Sequence, residues 1–278
     1  MKAPLYNLQG KKIKEIDLPI QFNEEIRPDI IKKAILAIQS HNRQPYGVKP
    51  DAGKRASAVL SRRRKNYKSS YGHGISRVPR KTMWHRGRQF GWVGAFAPGT
   101  VSGRQAHPPK AEKKYWEFIN IKERRKAIRS ALSATMISKL VEKRGHKFNQ
   151  SLVIENKFEE LKKTKDVVNV LIKLGLQDEL KRISKKKIRA GKGKNRGRKY
   201  KIKKGPLLVV SKACPLEKSA KNLQGIDVCI INNLNSELLA PGADIGRLTI
   251  YTENSVNKLA KEKLFMQDYK EPKKEIKK

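Results

Sequence analysis

A stretch of 68 residues, from position 43 to position 110, offers almost nothing to a hydrophobic core. It contains sixteen lysines and arginines, one acidic residue (Asp51), nine glycines and six prolines. Neither a helical nor a strand period of apolar residues persists there for more than a few positions. We therefore expect this segment to interrupt the fold as a long, non-globular basic loop that does not fold by itself.

The same segment carries aromatic residues among its charges, although flexible linkers are usually poor in them. There are seven: Tyr46, Tyr67, Tyr71, Trp84, Phe90, Trp92 and Phe96. An anionic partner with flat bases suits this composition, because phosphates bind cations, bases stack on aromatic and arginine planes, and glycines let two backbones approach. The last four rings fit an alternative nearly as well, since they lie within thirteen residues and can pack on one another.

Charge is distributed unevenly along the chain, whose formal net charge is +40 over 278 residues. Residues 43–110 and a second segment, 181–204, which has fourteen basic residues and no acid, hold most of this excess. Such density is typical of nucleic-acid binding, and its self-repulsion opposes compaction without a polyanion. A solvated charged face and a polybasic membrane-surface patch are the alternatives, but no amphipathic or lipidated anchor adjoins either segment.

We predict RNA contacts for basic and aromatic side chains in three places, with phosphate contact as the role of the arginines and lysines. Those in the first segment are Arg43, Lys54, Arg55, Arg62, Arg63, Arg64, Lys65, Tyr67, Arg77, Arg80, Lys81, Trp84, His85, Arg86, Arg88 and Arg104. Those at a helix start and in the second segment are Arg124, Arg125, Lys185, Lys186, Lys187, Arg189, Lys192, Lys194, Arg196 and Arg198.

The rest of the chain, residues 1–42 and 111–265, predicts one discontinuous α/β domain that carries residues 181–204 as a basic insert. Short strands are expected at 3–7 and 13–18. Continuous apolar runs at 152–154, 206–210, 226–231 and 248–251 predict a mainly parallel sheet buried on both faces. Helices at 28–39, 120–143, 165–174, from 177 onward and at 253–265 complete a three-layer domain. Residues 266–278 predict a charged, flexible tail.

The helix that begins after Asn120 has an unusual charge pattern. A capping-box pattern over residues 120–123 predicts its start, and it is expected to run to Lys143. Basic residues crowd its first turns, where they oppose the helix dipole. We therefore expect an external anion near these residues, which are Lys122, Arg124, Arg125, Lys126 and Arg129.

Catalytic and metal sites find little support in the sequence. A metal-dependent nuclease needs clustered carboxylates, whereas the pairs at 159–160 and 178–179 are predicted on helix surfaces as solvated charges. His73, His85 and His107 lack metal-ligand spacing and nearby cysteines, so zinc is not expected. A metal-free ribonuclease with two histidines and a lysine stays open, although a glycine-rich segment is a poor scaffold for fixed catalytic geometry.

A glycine-rich run at 191–197 suggests a phosphate loop, but it has neither Walker nor dinucleotide spacing and follows a basic helix rather than a strand. Its glycines better suit backbone amides and lysines that follow an RNA backbone.

Cys214 and Cys229 lie in or beside apolar runs, which indicates reduced, buried side chains and an intracellular protein; a disulfide is the alternative. The N-terminus lacks a hydrophobic signal region, and no apolar run approaches the length of a membrane span. We therefore expect no contact with a membrane.

Four motifs occur in order along the chain: GRQAHPPKAEKKYWE (103–117), KERRKAIRSALSAT (122–135), AGKGKNRGRKYKIKKGPLLVV (190–210) and LNSELLAPGADIGRLTIYTE (234–253). Together with RQPYG (43–47) at the entry to the first basic segment, they resemble the universal large-subunit ribosomal protein four family in its archaeal and eukaryotic form. The resemblance implies an α/β domain on the outside of the large subunit and a long extension threaded through ribosomal RNA. It also implies that the tip of the extension helps line a narrow part of the nascent-peptide exit tunnel.

The same resemblance implies a non-enzymatic architectural protein of the cytoplasmic ribosome. Its implied partners are large-subunit ribosomal RNA, neighbouring large-subunit ribosomal proteins and the nascent peptide near the loop tip. No cofactor, metal, membrane or homo-oligomer is expected. Two rivals remain: a DNA- or chromatin-compacting protein, which would not explain an aromatic-bearing loop within a parallel-sheet domain, and an RNA-processing enzyme.

Overall fold

The computed structural model describes residues 1–148 and 152–267. It divides the chain into two compact units, residues 1–41 with the chain from 117 onward, and residues 42–116. The strands are β1 (Lys2–Tyr6), β2 (Lys12–Asp17), β3 (Arg80–Arg86), β4 (Gln89–Gly94), β5 (Leu152–Ile154), β6 (Lys187–Ile188), β7 (Tyr200–Lys201), β8 (Leu207–Val210), β9 (Asp227–Ile230) and β10 (Thr249–Thr252). The helices are α1 (Pro28–His41), α2 (Ile121–Thr135), α3 (Ser138–Lys143), α4 (Thr164–Lys173), α5 (Gln177–Ser184), α6 (Pro215–Lys221), α7 (Ser236–Leu239) and α8 (Glu253–Lys261).

The first unit is built on a six-stranded sheet with the order β2-β1-β5-β10-β8-β9. Strands β1, β5, β10, β8 and β9 pair in parallel, and β2 pairs antiparallel with β1 at one edge. This confirms the prediction of an α/β fold with a mainly parallel sheet.

Successive residues of the central strands face opposite sides of the sheet. Leu207 and Val209 of β8 belong to one hydrophobic cluster, which α1, α2 and α8 cover. Leu208 and Val210 belong to the other, which α4, α5 and α6 cover. Because both faces of β8 are buried, its sequence is a continuous apolar run rather than an alternating one.

The predicted long helix over 120–143 is wrong in two respects. Helix α2 begins at Ile121 as predicted, but Asn120 makes no side-chain cap hydrogen bond, and Glu123, its expected capping-box partner, lies 2.7 Å from Lys33 Nζ instead. The helix also breaks after Thr135, where Ile137 is extended. This break lets α2 pack on one face of the sheet while Val141 of α3 joins the cluster on the other.

The last predicted helix also ends early. Helix α8 stops at Lys261 rather than at 265, because Lys263 and Phe265 adopt left-handed backbone conformations with φ of 45° and 62°. Most of the predicted flexible tail, residues 268–278, lies outside the described residues.

The turn before β10 requires a glycine at position 246. Gly246 has φ of +84°, and a Cβ there would lie 2.7 Å from the backbone of Leu140. We predict that Gly246→Ala lowers the free energy of unfolding by more than about 2 kcal/mol, since backbone strain and a steric collision add. Gly242→Ala is the control, because Gly242 has φ of +79° and open space around its Cα; it should cost about 1 kcal/mol. Equal losses in urea titrations of the two variants would contradict the close approach at Gly246.

The second unit, residues 42–116, contains an antiparallel hairpin of β3 and β4. Residues 80–94 thus form two paired strands, although no strand period of apolar residues persists in this segment. The hairpin depends on cross-strand pairs, such as His85 with Phe90 and Thr82 with Trp92, rather than on a regular apolar period.

Candidate nucleic-acid interface

The basic insert folds as a short ribbon. Strand β6 pairs antiparallel with β7, with Lys187 opposite Lys201 and Ile188 opposite Tyr200. The ribbon is closed by hydrogen bonds from Arg189 N to Lys199 O at 2.8 Å and from Arg189 Nε to Arg198 O at 3.0 Å. Like charges directly opposite one another destabilise a ribbon, so this arrangement favours an anion that bridges the two lysines.

The two faces of this ribbon differ in chemistry. Ile188 and Tyr200 share one face as a cross-strand pair and are 67% and 52% exposed. The neighbouring Lys187–Lys201 pair lies on the opposite face because side chains alternate along a strand. Of the predicted contact residues in the insert, Arg189 is half-buried and the others are exposed: Lys185, Lys186, Lys187, Lys192, Lys194, Arg196 and Arg198.

The C-terminal end of the insert is fixed by two arginines, Arg182 on α5 and Arg247 just before β10. Arg182 Nη2 donates to Lys204 O at 2.7 Å, and Arg247 Nε donates to Gly205 O at 2.9 Å. Arg247 is fully buried, and its Nη2 lies 2.6 Å from Asp227 Oδ2. Burial lowers the pKa of Arg247, while the Asp227 carboxylate opposes this effect. The exposed cations of the insert therefore extend from a rigid base.

Arg182 also belongs to a buried polar cluster. Glu179 Oε1 lies 2.6 Å from Arg182 Nη2 and 2.7 Å from His146 Nδ1, and Glu179 Oε2 accepts a hydrogen bond from Lys147 N at 3.0 Å. Burial disfavours the charged imidazolium and lowers the pKa of His146 despite the adjacent carboxylate. Burial raises the pKa of Glu179, but hydrogen bonds from Arg182, His146 and Lys147 outweigh it and lower that pKa to about 2.

This cluster predicts acid lability. Because the folded pKa of His146 is below 6.5, its contribution to stability is complete above pH 6.5 and is lost as the pH falls from there toward the folded value. The contribution of Glu179 is complete above pH 4.5 and is lost between pH 4.5 and about 2. We expect the urea midpoint to fall continuously as the pH is lowered from 7, and Glu179→Gln to reduce the fall below pH 4.5. Asp178→Asn, at an exposed neighbouring carboxylate, should leave the profile unchanged, and an identical effect of both variants would contradict this account.

Some cations in the first turns of α2 pair with an acid of the same chain, whereas others lie at the surface. Arg129 is buried, with Nε 2.7 Å from Glu24 Oε2, and Lys126 lies 3.9 Å from the other oxygen of Glu24. The expected external anion is thus replaced, for these two residues, by Glu24 of the same chain. Arg125 donates to Gln267 Oε1 at 2.7 Å, while Arg124 is exposed at the helix surface.

The aromatic residues of the second unit divide between the two expected roles. Phe90 stacks on Trp92 with ring centroids 5.0 Å apart and meets Tyr67 edge-on at 5.1 Å, so these rings form a local cluster. Trp84 is 59% exposed and Phe96 is 38% exposed. Two of the four rings therefore pack on each other, and two remain open to an external partner.

Stacked groups also join the two ends of this unit. Tyr46 and Tyr115 stack with centroids 5.5 Å apart, and the Arg43 guanidinium lies 4.4 Å from the Tyr115 centroid. Val48 N donates to Pro109 O at 3.1 Å. Residues that are distant in sequence thus form one paired stem.

Most of the contact residues that the sequence predicts in this unit are exposed. Arg80, Lys81 and Arg104 are half-buried, and Arg80 donates to Val78 O and Ser76 Oγ. The exposed ones are Arg43, Lys54, Arg55, Arg62, Arg63, Arg64, Lys65, Tyr67, Arg77, Trp84, His85, Arg86 and Arg88.

The structure adds contact candidates that the sequence analysis did not single out. Lys68 lies 5.7 Å from the Tyr67 centroid and 5.9 Å from the Phe90 centroid. Tyr115 belongs to the stem, and Lys201 to the cationic face of the ribbon. Only cross-strand pairing and ring stacking identify these residues, and neither has a signature in a single sequence.

The carboxylate pairs at 159–160 and 178–179 were predicted to be solvated charges on helix surfaces. This prediction is wrong for Glu159 and Glu179. Glu159 is buried and accepts hydrogen bonds from Ser211 N, Ser211 Oγ and Thr252 Oγ1 at 2.9, 2.9 and 2.6 Å. Donors from distant strands satisfy this carboxylate. Glu160 and Asp178 are exposed as expected.

The described part of the chain brings no three His, Cys, Asp or Glu side chains together as a metal site. Cys214 and Cys229 are free thiols, and burial raises the pKa of both, that of Cys229 to about 11. Raised thiol pKa values are the opposite of what a nucleophilic cysteine needs. None of the helices in residues 1–148 and 152–267 is long and apolar enough to cross a bilayer.

Comparison with known proteins places this arrangement in context. The model of the ribosomal protein L4/L1 family matches residues 16–262. A large ribosomal subunit protein uL4 from Nanoarchaeum equitans is 51% identical over 267 residues, which cover 95% of this chain and 100% of the relative. Proteins of the same name from Archaeoglobus fulgidus and Methanocaldococcus jannaschii are 47% and 48% identical, each over 93% of this chain and 98% of the relative.

Proposed function

Because the chain belongs to the ribosomal protein L4/L1 family, we propose that it is a structural, non-enzymatic constituent of the large ribosomal subunit that binds ribosomal RNA. Its partners are then large-subunit ribosomal RNA and neighbouring ribosomal proteins, and its location is the cytoplasmic ribosome. The observation that carries this proposal is the basic ribbon, whose exposed lysines face one another across two strands. Phosphates of an RNA backbone neutralise such a surface.

Within this function, the two basic surfaces have different roles. The insert, extending from its base at Arg182 and Arg247, places a row of cations along an RNA backbone. Residues 42–116 offer both cations and exposed rings, notably Trp84 and Phe96, which suits stacking on unpaired bases.

We further propose the finer arrangement that the family resemblance implies. Residues 43–110 form an extension from the α/β domain of residues 1–42 and 111–265, and this extension penetrates the RNA core. Its tip helps line the nascent-peptide exit tunnel and lies near the nascent peptide. The protein acts as one copy in the particle rather than as a homo-oligomer.

Deletion of residues 60–95 tests this finer arrangement. The α/β domain should still fold and dock on the large subunit, because its sheet and both hydrophobic clusters lie outside the deletion. The contacts of the extension with RNA should disappear, and the tunnel wall should change. A density map of particles with the deletion measures both, and an unchanged tunnel lining would refute the assignment of the tip.

Co-sedimentation tests the function itself. A tagged chain should follow large subunits through a sucrose gradient at about one copy per particle and remain with them at moderate salt. A chromatin-compacting protein would sediment with DNA, and an RNA-processing enzyme would be substoichiometric. Either result would overturn the proposal.

A further inference from the structure

A cavity of about 440 Å³ lies beside the first two turns of α2. Ile128 and Leu234 form part of its wall and belong to the buried core, so this part of the cavity is rigid. Phe265 contributes an aromatic ring from the chain after α8. The volume falls within the range of small-ligand sites, and the apolar wall suits a flat, uncharged group.

Uncharged polar groups also line the cavity. Asn232 and Asn233 are exposed in the 3-10 turn that follows β9, and both line the cavity. Ser236 lines it as well; its side chain is buried, and its hydroxyl has no hydrogen-bond partner within the described part of the chain. A buried polar group without a partner is costly, and a ligand can supply the missing hydrogen bond after a rotation about χ1.

Cations outnumber acids around the same cavity. Arg124, Arg125 and Lys263 line it, against one carboxylate, that of Glu262. The hydrogen bond from Arg125 to Gln267 holds this guanidinium in place, while Arg124 is exposed. A phosphate next to the cavity would therefore find two arginines at the start of a helix, where the helix dipole also favours an anion.

We propose that this cavity receives a single unstacked nucleobase of RNA, with its edge on the Asn232 and Asn233 amides and its phosphate on Arg124 and Arg125. Amides offer donors and acceptors to base edges, and the apolar wall replaces the stacking that the base loses. This inference rests on the proposed function, since it assigns one nucleotide-binding site within an RNA-binding protein.

Photo-crosslinking of the full chain tests the site. The probe is a single-stranded oligouridine of about twelve nucleotides with one central 4-thiouridine, and crosslinked peptides are identified by mass spectrometry. We expect crosslinks to residues 231–239 or 262–267, in addition to those in residues 42–116 and 185–204. Asn233→Trp should block the cavity mouth and remove only the crosslinks to residues 231–239 or 262–267. Asn222→Trp, at an exposed asparagine after α6, should leave the crosslinks in all of these segments unchanged.

A second pair of variants separates binding from folding. Ser236→Ala removes a hydroxyl that has no described partner, so the melting temperature should not fall, whereas the crosslink yield at the cavity should fall roughly threefold to tenfold. Ser133→Ala removes a hydroxyl that donates to Ser130 O at 2.9 Å; it should leave the crosslink yield unchanged.

The outcomes distinguish the two proposals. Absence of any salt-dependent RNA binding would overturn the function itself. RNA binding without crosslinks at the cavity, or equal yields for the two tryptophan variants, would overturn the cavity assignment alone. The crosslink should survive a millimolar excess of uridine monophosphate, because a free nucleotide lacks the neighbouring phosphates. Its loss would identify a free nucleotide as the occupant and overturn the assignment to RNA.

Discussion

Replacing six cations of the insert by glutamine is expected to weaken RNA binding by roughly a thousandfold at about 0.15 M salt. The variant carries Lys185→Gln, Lys186→Gln, Lys187→Gln, Arg189→Gln, Lys192→Gln and Lys194→Gln. Each phosphate contact contributes about 0.7 to 0.9 to the slope of log affinity against log salt, so the slope should become shallower by about 4 to 5. Filter binding of the full chain to large-subunit ribosomal RNA over a range of salt concentrations measures both quantities.

A control with the same change in net charge is available outside the insert, on two helices of the α/β domain. Six exposed lysines on or next to α4 and α6 can be replaced by glutamine: Lys162, Lys163, Lys165, Lys173, Lys218 and Lys221. If the insert binds phosphates locally, this control should retain most of the slope. Equal slopes for the two variants would mean that only the total charge matters and that the insert is a solvated face.

Arg247→Met is expected to lower the free energy of unfolding by about 3–5 kcal/mol. The side chain is fully buried and binds Gly205 O, Leu238 O and Asp227, so its removal takes a donor from two carbonyl groups and leaves the Asp227 carboxylate with Lys204. Burial would raise the pKa of Asp227, but Arg247 and Lys204 together lower it. Methionine preserves much of the apolar stem, so the measured loss reports on the guanidinium. Urea denaturation at neutral pH provides the measurement.

Arg27→Met is the matched control, because the pair of Arg27 with Asp29 lies on the surface, with 41% and 61% of the side chains exposed. Surface ion pairs contribute little to stability, so the urea midpoint should hardly move. A comparable loss in both variants would contradict the role of Arg247 as the anchor of the insert.

The sequence predicted the sheet well because its strands are buried on both faces. The run that becomes β8 is continuously apolar, and this pattern has few alternative explanations. It did not predict the break between α2 and α3, since the apolar period continues across Met136 and Ile137. The break follows from a tertiary requirement, namely that Val141 reach the opposite face of the sheet.

Buried charge was the least predictable feature. Glu159 is stabilised by Ser211 and Thr252, which are 52 and 93 positions away along the chain. Arg247 looks like one more cation in a basic chain until Gly205 and Asp227 are seen around it. A single sequence carries no local pattern for partners at such separations. The same limit applies to the stacking of Tyr46 on Tyr115, which unites two distant segments.

One property of the candidate site could be predicted from the sequence, and another could not. The abundance of cations was evident from composition, because fourteen basic residues without an acid in 24 positions exceed what a solvated surface needs. Their arrangement was not evident: the pairing of Lys187 with Lys201 depends on the register of the ribbon, and the Asn232–Asn233 amides line one cavity with Arg124 only in the folded domain.

A density map of the native large ribosomal subunit that contains this chain tests the central claim most directly. Our account predicts that the six-stranded sheet lies at the surface of the particle and that the insert of residues 185–198 contacts RNA phosphates. It also predicts that residues 43–110 are surrounded by RNA, with their tip at the wall of the exit tunnel. A map in which residues 43–110 lie on the solvent side of the particle, or in which the insert contacts no RNA, would contradict it.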